Sequence, residues 1–264
     1  MNPTMASPIL SVIIPAYNEA EHIRACLAET CRVLQRAEYE IIVVDDGSQD
    51  ATASEAQVFA SHESHVRVLV LAGNRGKGAA LIQGSSLAQG ELIAFLDADL
   101  ELHPGLILRL WQLMAESQAD IVIGSKHHPD SKIHYPTLRH LTSGIYARLI
   151  KLLFHLEVRD TQTGIKLLRA SALQNLLPHL KIERFAFDLE LLTAAALFGY
   201  KIVDSPVEVY FSRQHGRRLK LPAMLNIFAD TLKIYFRLNS WKSMLPSSRA
   251  LSQPQPIPPP PAEG

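Results

Sequence analysis

Short, nearly continuous apolar runs alternate with longer stretches of helical periodicity through the first 125 residues. The runs cover 10–14, 41–44, 66–71, 92–96 and 121–123. Each is rich in Val, Ile or Leu and nearly continuous, as strands covered on both faces should be. Between them, apolar spacing predicts helices over about 19–36, 51–61, 77–88 and 104–117, with Asp50 capping the second and Pro104 in the first turn of the last. Strands separated by helices of this length predict βαβ units and therefore an α/β fold with a mostly parallel central sheet flanked by helices.

Beyond residue 126 that rhythm weakens. The segment 126–136 carries His, Asp, Ser and Pro without periodicity and predicts a mobile loop. Helical spacing returns over 138–153 and 188–198, and a further strand is expected at 207–211. From 221 to 238, Leu221, Leu225, Phe228, Leu232 and Tyr235 share one helix face, while Asn226, Asp230, Lys233 and Arg237 share the opposite one. Such a helix packs its apolar face on the domain or lays it on a membrane surface. The proline-rich stretch 241–264 predicts a disordered or polyproline tail. The expected organisation is an extension over 1–8, one domain over 9–240 built from halves 9–126 and 127–240, and that tail.

Composition adds two things to this pattern. With 264 residues, 47% hydrophobic and 20% charged, the chain lies near the globular average, which excludes collagen-like and wholly disordered classes. The formal charge of +0 hides an asymmetry: residues 1–130 hold 8 Lys+Arg against 17 Asp+Glu, or −9, and residues 131–264 hold 18 against 9, or +9. A basic half suits phosphate or an anionic membrane face, and an acidic half suits a metal site. Nucleic acid is the weakest partner, because the basic residues lack aromatic interleaving and the acidic half repels phosphate. Cys26 and Cys31 stand five apart without CxxC spacing, so neither a disulfide framework nor a cysteine zinc site is expected. No signal peptide and no membrane span are expected either, and His127-His128 reads as loop polarity.

In an open parallel sheet, ligands bind outside the carboxyl ends of the strands. Four strand ends here run into polar sets: Pro15-Ala16-Tyr17-Asn18-Glu19, Asp45-Asp46-Gly47-Ser48, Asp97-Ala98-Asp99 and Gly124-Ser125-Lys126. Asp97 and Asp99, with Glu101 extending the series, offer hard oxygen ligands at a strand end, suited to a divalent cation that bridges a diphosphate. Gly73-Asn74-Arg75-Gly76-Lys77-Gly78 lacks Walker A spacing, which excludes a P-loop, although Lys77 at a helix start suits a phosphate.

Ser11-Val12-Ile13-Ile14-Pro15-Ala16-Tyr17-Asn18-Glu19, Val43-Val44-Asp45-Asp46-Gly47-Ser48, Gly76-Lys77-Gly78 and Asp97-Ala98-Asp99-Leu100 together resemble family 2 glycosyltransferases of the GT-A fold, with a Rossmann-like N-terminal half. Val158-Arg159-Asp160-Thr161-Gln162-Thr163-Gly164-Ile165-Lys166, Glu183-Arg184-Phe185-Ala186-Phe187-Asp188 and Pro206-Val207-Glu208-Val209 resemble the branch that glycosylates dolichyl or polyprenyl phosphate, leaning toward its glucosyl side. The resemblance implies donor contacts from Pro15, Tyr17, Glu19, Asp46 and Lys77. It implies a Mg2+ or Mn2+ ion and a diphosphate on Asp97, Asp99 and Glu101, acceptor phosphate near Lys126, Lys166, Arg213 and Lys220, and Asp160 nearest the reacting centre. Arg is common in the family where Lys126 stands, and Gly216-Arg217-Arg218-Leu219-Lys220 departs from the family's Gly and Ser-Lys pattern. The processive Gln-x-x-Arg-Trp signature is absent.

On that resemblance the expected activity is inverting hexosyl transfer from a nucleotide-sugar, UDP-glucose before GDP-mannose, to a polyprenyl phosphate. It would take place on the cytoplasmic membrane face, reached through a membrane surface or a membrane-protein partner. Transfer to a glycan or soluble hydroxyl, and nucleotide-sugar binding without catalysis, are the competing readings.

Overall fold

A computed structural model describes residues 8–133, 150, 153–154, 156–209, 221–244 and 256–261. Most of the predicted 138–153 helix, Arg213 and Lys220 lie outside the described residues. The predicted runs become β1 (Leu10–Ala16), β2 (Tyr39–Asp45), β3 (Val66–Val70), β4 (Leu92–Phe95) and β5 (Ile121–Ser125). The helices between them are α1 (Ile23–Leu34), α2 (Thr52–Ala60), α3 (Lys77–Leu87) and α4 (Leu106–Ser117). Pro104 stands two residues before α4 rather than inside its first turn, its carbonyl accepting the Ile107 N–H. Asp50 likewise stands one residue before the α2 cap, Ala51, but its carboxylate still accepts the Thr52 N–H at 2.9 Å.

The second half adds β6 (Lys132–Ile133), β7 (Lys166–Arg169), α5 (Ala170–Leu176), α6 (Phe187–Phe198), β8 (Ile202–Pro206), β9 (Glu208–Val209) and α7 (Leu221–Met244). The main sheet runs β3-β2-β1-β4-β7-β5-β8, and β6 pairs with β9. All pairings in the main sheet are parallel except those of β7, which runs antiparallel between β4 and β5. From β1 the chain steps outward to β2 and β3, then returns to β4 on the other side. The switch point therefore lies between β1 and β4, where a crevice opens at the strand ends. Pro15 is tolerated in β1 because its missing N–H falls on the β4 side, past the last register pair Ile13↔Phe95.

Apolar side chains fill both faces of the sheet. Leu10, Val12 and Ile14 pack with α1 and α4, and Ile13, Ile93 and Phe95 pack with α3, α5, α6 and α7. Of the strand expected at 207–211, β9 covers Glu208–Val209 and 210–211 lie outside the described residues; β8, over Ile202–Pro206, is an addition.

Of the two expected placements, helix α7 does not pack its predicted apolar face on the domain. Thr231, Ile234 and Trp241 are buried together with Asp230, whereas Phe228, Leu232, Tyr235 and Phe236 are exposed. The reason lies on α6. Glu190 is fully buried; its Oε2 accepts N–H bonds from Lys181 and Ile182 at 2.8 and 2.7 Å, and its Oε1 pairs with Arg237. A buried carboxylate needs that partner, so Arg237 turns inward and the helix presents aromatic residues to the outside. The helix also continues past the predicted end at 238. The tail departs from expectation too: residues 256–261 lie against the domain, with Ile257 packed on the α1/α4 side of the core.

Two outcomes follow. Glu190→Ala, which strands Arg237 and two buried N–H groups, is expected to lower unfolding free energy by about 3–5 kcal/mol in urea titration, with an unchanged fold by circular dichroism. Cys26 is buried among the α1/α4 side chains, and burial pushes its thiol up to about 12. At pH 8 it should resist iodoacetamide until the chain is unfolded, by mass spectrometry of the alkylated peptide.

Candidate active site

At the switch point the loops after β1 and β2 are tied to each other. Asn18 takes a left-handed turn at φ 56°, which Asn tolerates better than most side chains. Its N–H donates to Ser48 Oγ at 2.9 Å, its Oδ1 accepts the Gln49 N–H at 2.8 Å, and the Glu19 N–H donates to Thr52 Oγ1 at 2.7 Å. Tyr17 is left projecting, 37% exposed, with Glu19 nearby and hydrogen-bonded to His22 Nδ1 at 3.1 Å. Pro15, Tyr17 and Glu19 thus come together at one rim.

The adjacent carboxylates of β2 have separate uses. Asp45 Oδ2 accepts the Ser48 N–H at 3.0 Å, and its Oδ1 has no hydrogen-bond partner. Asp46 is 3% exposed and accepts the Arg75 N–H at 2.9 Å on one oxygen and the Gly76 N–H at 2.7 Å on the other. Its charge thereby organises the loop ahead of α3. Gly47, at φ +70°, lets that loop approach, since a Cβ there would stand 2.5 Å from Gly73 Cα.

Beyond β4 a chain of opposite charges runs inward. Lys77, at the start of α3, pairs with Asp97 Oδ1 at 2.6 Å and lies 3.9 Å from Asp188 Oδ2; Lys166 pairs with Asp188 Oδ1 at 2.8 Å. Burial disfavours the Lys77 ammonium, but the carboxylates of Asp97 and Asp188 outweigh that and hold its pKa above the ordinary lysine value. Lys166 is 1% exposed and also donates to the Thr163 carbonyl. Its ammonium therefore faces Asp188 and the Thr163 carbonyl. Asp188, which sequence reasoning quoted only as part of a motif, is the 4%-exposed anion shared by both lysines.

Asp160 closes the arrangement. Its Oδ2 accepts the Lys126 N–H at 3.0 Å and the Thr163 hydroxyl at 2.6 Å, and its Oδ1 accepts the Gln162 N–H at 2.9 Å. At 8% exposure it is a loop organiser that fixes Lys126. Gly164, unassigned by sequence, abuts the Asp97 carboxylate so closely that a Cβ would collide with Oδ2.

The expected Asp97, Asp99 and Glu101 triad is not gathered: among the described residues no three His, Cys, Asp or Glu side chains group as metal ligands. Lys77 engages Asp97, and Glu101 lies toward Lys126, 3.9 Å from its Nζ. The first two residues nonetheless fit a divalent cation. Both are hard-oxygen donors just past the end of β4, and burial, then the charge of Asp97, pushes the Asp99 carboxyl up to about 6.

In metal-free protein Asp99 should accordingly titrate near pH 6, and Asp97→Asn should lower that midpoint, by carbon-detected NMR. With a folded pKa above the unfolded 3.8, its contribution to stability is present below pH 3.8 and lost as pH rises through about 6. Gly164→Ala should displace Asp97 and weaken Mn2+ binding at least about tenfold by calorimetry, while the melting temperature moves by only a few degrees.

The sequence profile described as Glycosyl transferase family 2 matches residues 11–177. The dolichyl-phosphate beta-glucosyltransferase of Drosophila melanogaster is 37% identical over 252 residues, covering 88% of this chain and 77% of that protein. Its Homo sapiens namesake is 34% identical over 230 residues, covering 80% and 69%. Among solved structures, glucosyl-3-phosphoglycerate synthase from Mycobacterium tuberculosis, in complex with Mn2+, uridine-diphosphate-glucose and phosphoglyceric acid, matches with a TM-score of 0.67 at 19% identity, over 91% of this chain and 81% of that one. That likeness establishes the expected GT-A fold. With its motifs at one crevice and its relatives alike over most of their length, the chain belongs to glycosyl transferase family 2.

Proposed function

We propose that this chain transfers glucose from UDP-glucose, with inversion, to a dolichyl or other polyprenyl phosphate. The observation that carries the reading is the 37% identity with the Drosophila melanogaster dolichyl-phosphate beta-glucosyltransferase over 88% of the chain. Pro15, Tyr17 and Glu19 form the rim for the base and ribose, and Lys77 stands where the diphosphate enters. Asp97 and Asp99 would hold Mg2+ or Mn2+, which when bound neutralises charge on the departing diphosphate.

The state of Asp160 favours a phosphate acceptor over a hydroxyl. All three of its hydrogen bonds come from its own loop and the Lys126 N–H, so its carboxylate is committed to positioning that segment. A monophosphate, whose second pKa is near 6, is already largely dianionic at pH 7 and attacks without a base, whereas a sugar hydroxyl requires one. Lys126, fixed by Asp160, is the cation nearest to hand for the acceptor phosphate; Arg213 and Lys220 belong to the same proposal.

Among the described residues no helix is long and apolar enough to cross a membrane. Access to a lipid acceptor falls instead to the outward face of α7, where Phe228, Leu232, Tyr235 and Phe236 are exposed. Apolar side chains on one helix face, in the half of the chain that carries the +9 charge, suit an anionic membrane surface, and the proposed site of action is its cytoplasmic face.

The test is radiolabel transfer from UDP-glucose, and in parallel GDP-mannose, to a short polyprenyl phosphate with Mg2+ or Mn2+, scored by extraction into organic solvent. Organic-phase label from UDP-glucose is the expected result. Label confined to a water-soluble glycan would replace the acceptor, and donor binding without any product would favour the non-catalytic reading. Asp99→Ala should lower the transfer rate at least about 100-fold, on the several kcal/mol that a bound cation contributes, with secondary structure retained.

A further inference from the structure

The proline-rich tail is seated on a specific partner. Trp111, on α4, is 2% exposed, and its indole N–H donates to the Pro258 carbonyl at 2.8 Å, across 147 residues of sequence. Beside it Ile257 packs on the cluster formed by β1, β4, α1 and α4. A buried indole N–H needs an acceptor, and here none of the surrounding helices supplies it. Proline carbonyls are well suited to the purpose: a polyproline segment has no internal hydrogen bonds, so its carbonyls face outward, and its stiffness makes ordering inexpensive. An aromatic side chain donating to a proline-rich backbone, with one apolar anchor alongside, is the chemistry by which proteins recognise polyproline ligands.

We propose that the α4 surface around Trp111 is a polyproline-binding site whose ligand is this chain's own segment 256–261. The tail acts there as a displaceable strap across α4. Eleven residues separate Met244 from Pro256, a span of at most ~40 Å, ample beside the ~18 Å radius of gyration of a domain this size, so the segment reaches Trp111 within one chain. The strap bears on function because α4 begins five residues after Glu101, on the same connection that carries Asp97 and Asp99.

The experiment uses the full-length chain with Ile257→Asp, which removes the anchor without shortening the protein, and a fluorescein-labelled peptide of residues 252–264. The peptide should bind the Ile257→Asp chain at least tenfold more tightly than the unaltered chain, whose site is filled. Adding Trp111→Phe, which keeps a ring but removes the N–H, should weaken that binding about three- to tenfold. Independently, the Trp111 indole N–H should be protected from hydrogen exchange in the unaltered chain and lose protection in Ile257→Asp. Equal binding to both chains, binding to neither, or unchanged protection would overturn the proposal. A change of oligomeric mass in Ile257→Asp would equally overturn it, because the ligand would then be the tail of a second copy.

Discussion

The run of charges from Asp97 through Lys77 and Asp188 to Lys166 is the constraint on which the site depends. Its members come from the end of β4, the start of α3, the start of α6 and the start of β7, so four elements meet at one electrostatic junction. Removing one member of such a buried set leaves an uncompensated charge, and the cost of that rather than the strength of any pair holds the geometry. The junction also explains why β7 can carry a lysine at a position 1% exposed. Lys166 faces Asp188, and the antiparallel strand is thereby fixed between β4 and β5, directly below the crevice.

Around this junction most carboxylates at the crevice bind backbone before they bind anything else. Asp45 holds its own turn, Asp46 holds the loop ahead of α3, and Asp160 holds the segment that fixes Lys126. Loops that would otherwise open locally are thus pinned by charge-assisted bonds, which are stronger than neutral ones. Asp97 pairs with Lys77 instead, and Asp99 holds the Glu101 N–H at 3.0 Å. They stand close together at the crevice with raised proton affinity on Asp99, so the acidic cost is concentrated where a cation would relieve it. Preorganised loops and the two carboxylates that follow β4 are complementary parts of one site.

The outer surface follows from a similar competition. Glu190 is buried on α6 and requires Arg237, which rotates α7 so that Phe228, Tyr235 and Phe236 face away from the domain. One buried charge therefore decides which side of a helix meets the surroundings, and an apolar face is made available beside the half of the chain richer in Lys and Arg. On the opposite side of the sheet the tail covers Trp111, so the two ends of the last 44 residues serve different surfaces.

The amino-acid sequence by itself determined the parallel β1–β5 framework, the helices between its strands, and the placement of Pro15, Tyr17, Glu19, Asp97 and Asp99 at one edge. These depend on local periodicity and on the rule that parallel strand ends gather ligands, and both are written in short windows. Tertiary structure alone decided the insertion of β7, the inward turn of Arg237, the docking of the tail, and the protein partners of Asp46, Asp160 and Lys166. Each of these turns on a partner distant in sequence: Asp46 on Arg75 and Gly76, Lys166 on Asp188, Trp111 on Pro258. A charged residue in sequence shows what it can bind. Whether it binds ligand or backbone is settled by which group reaches it first in the folded chain, since a buried carboxylate or ammonium must be satisfied wherever the fold puts it.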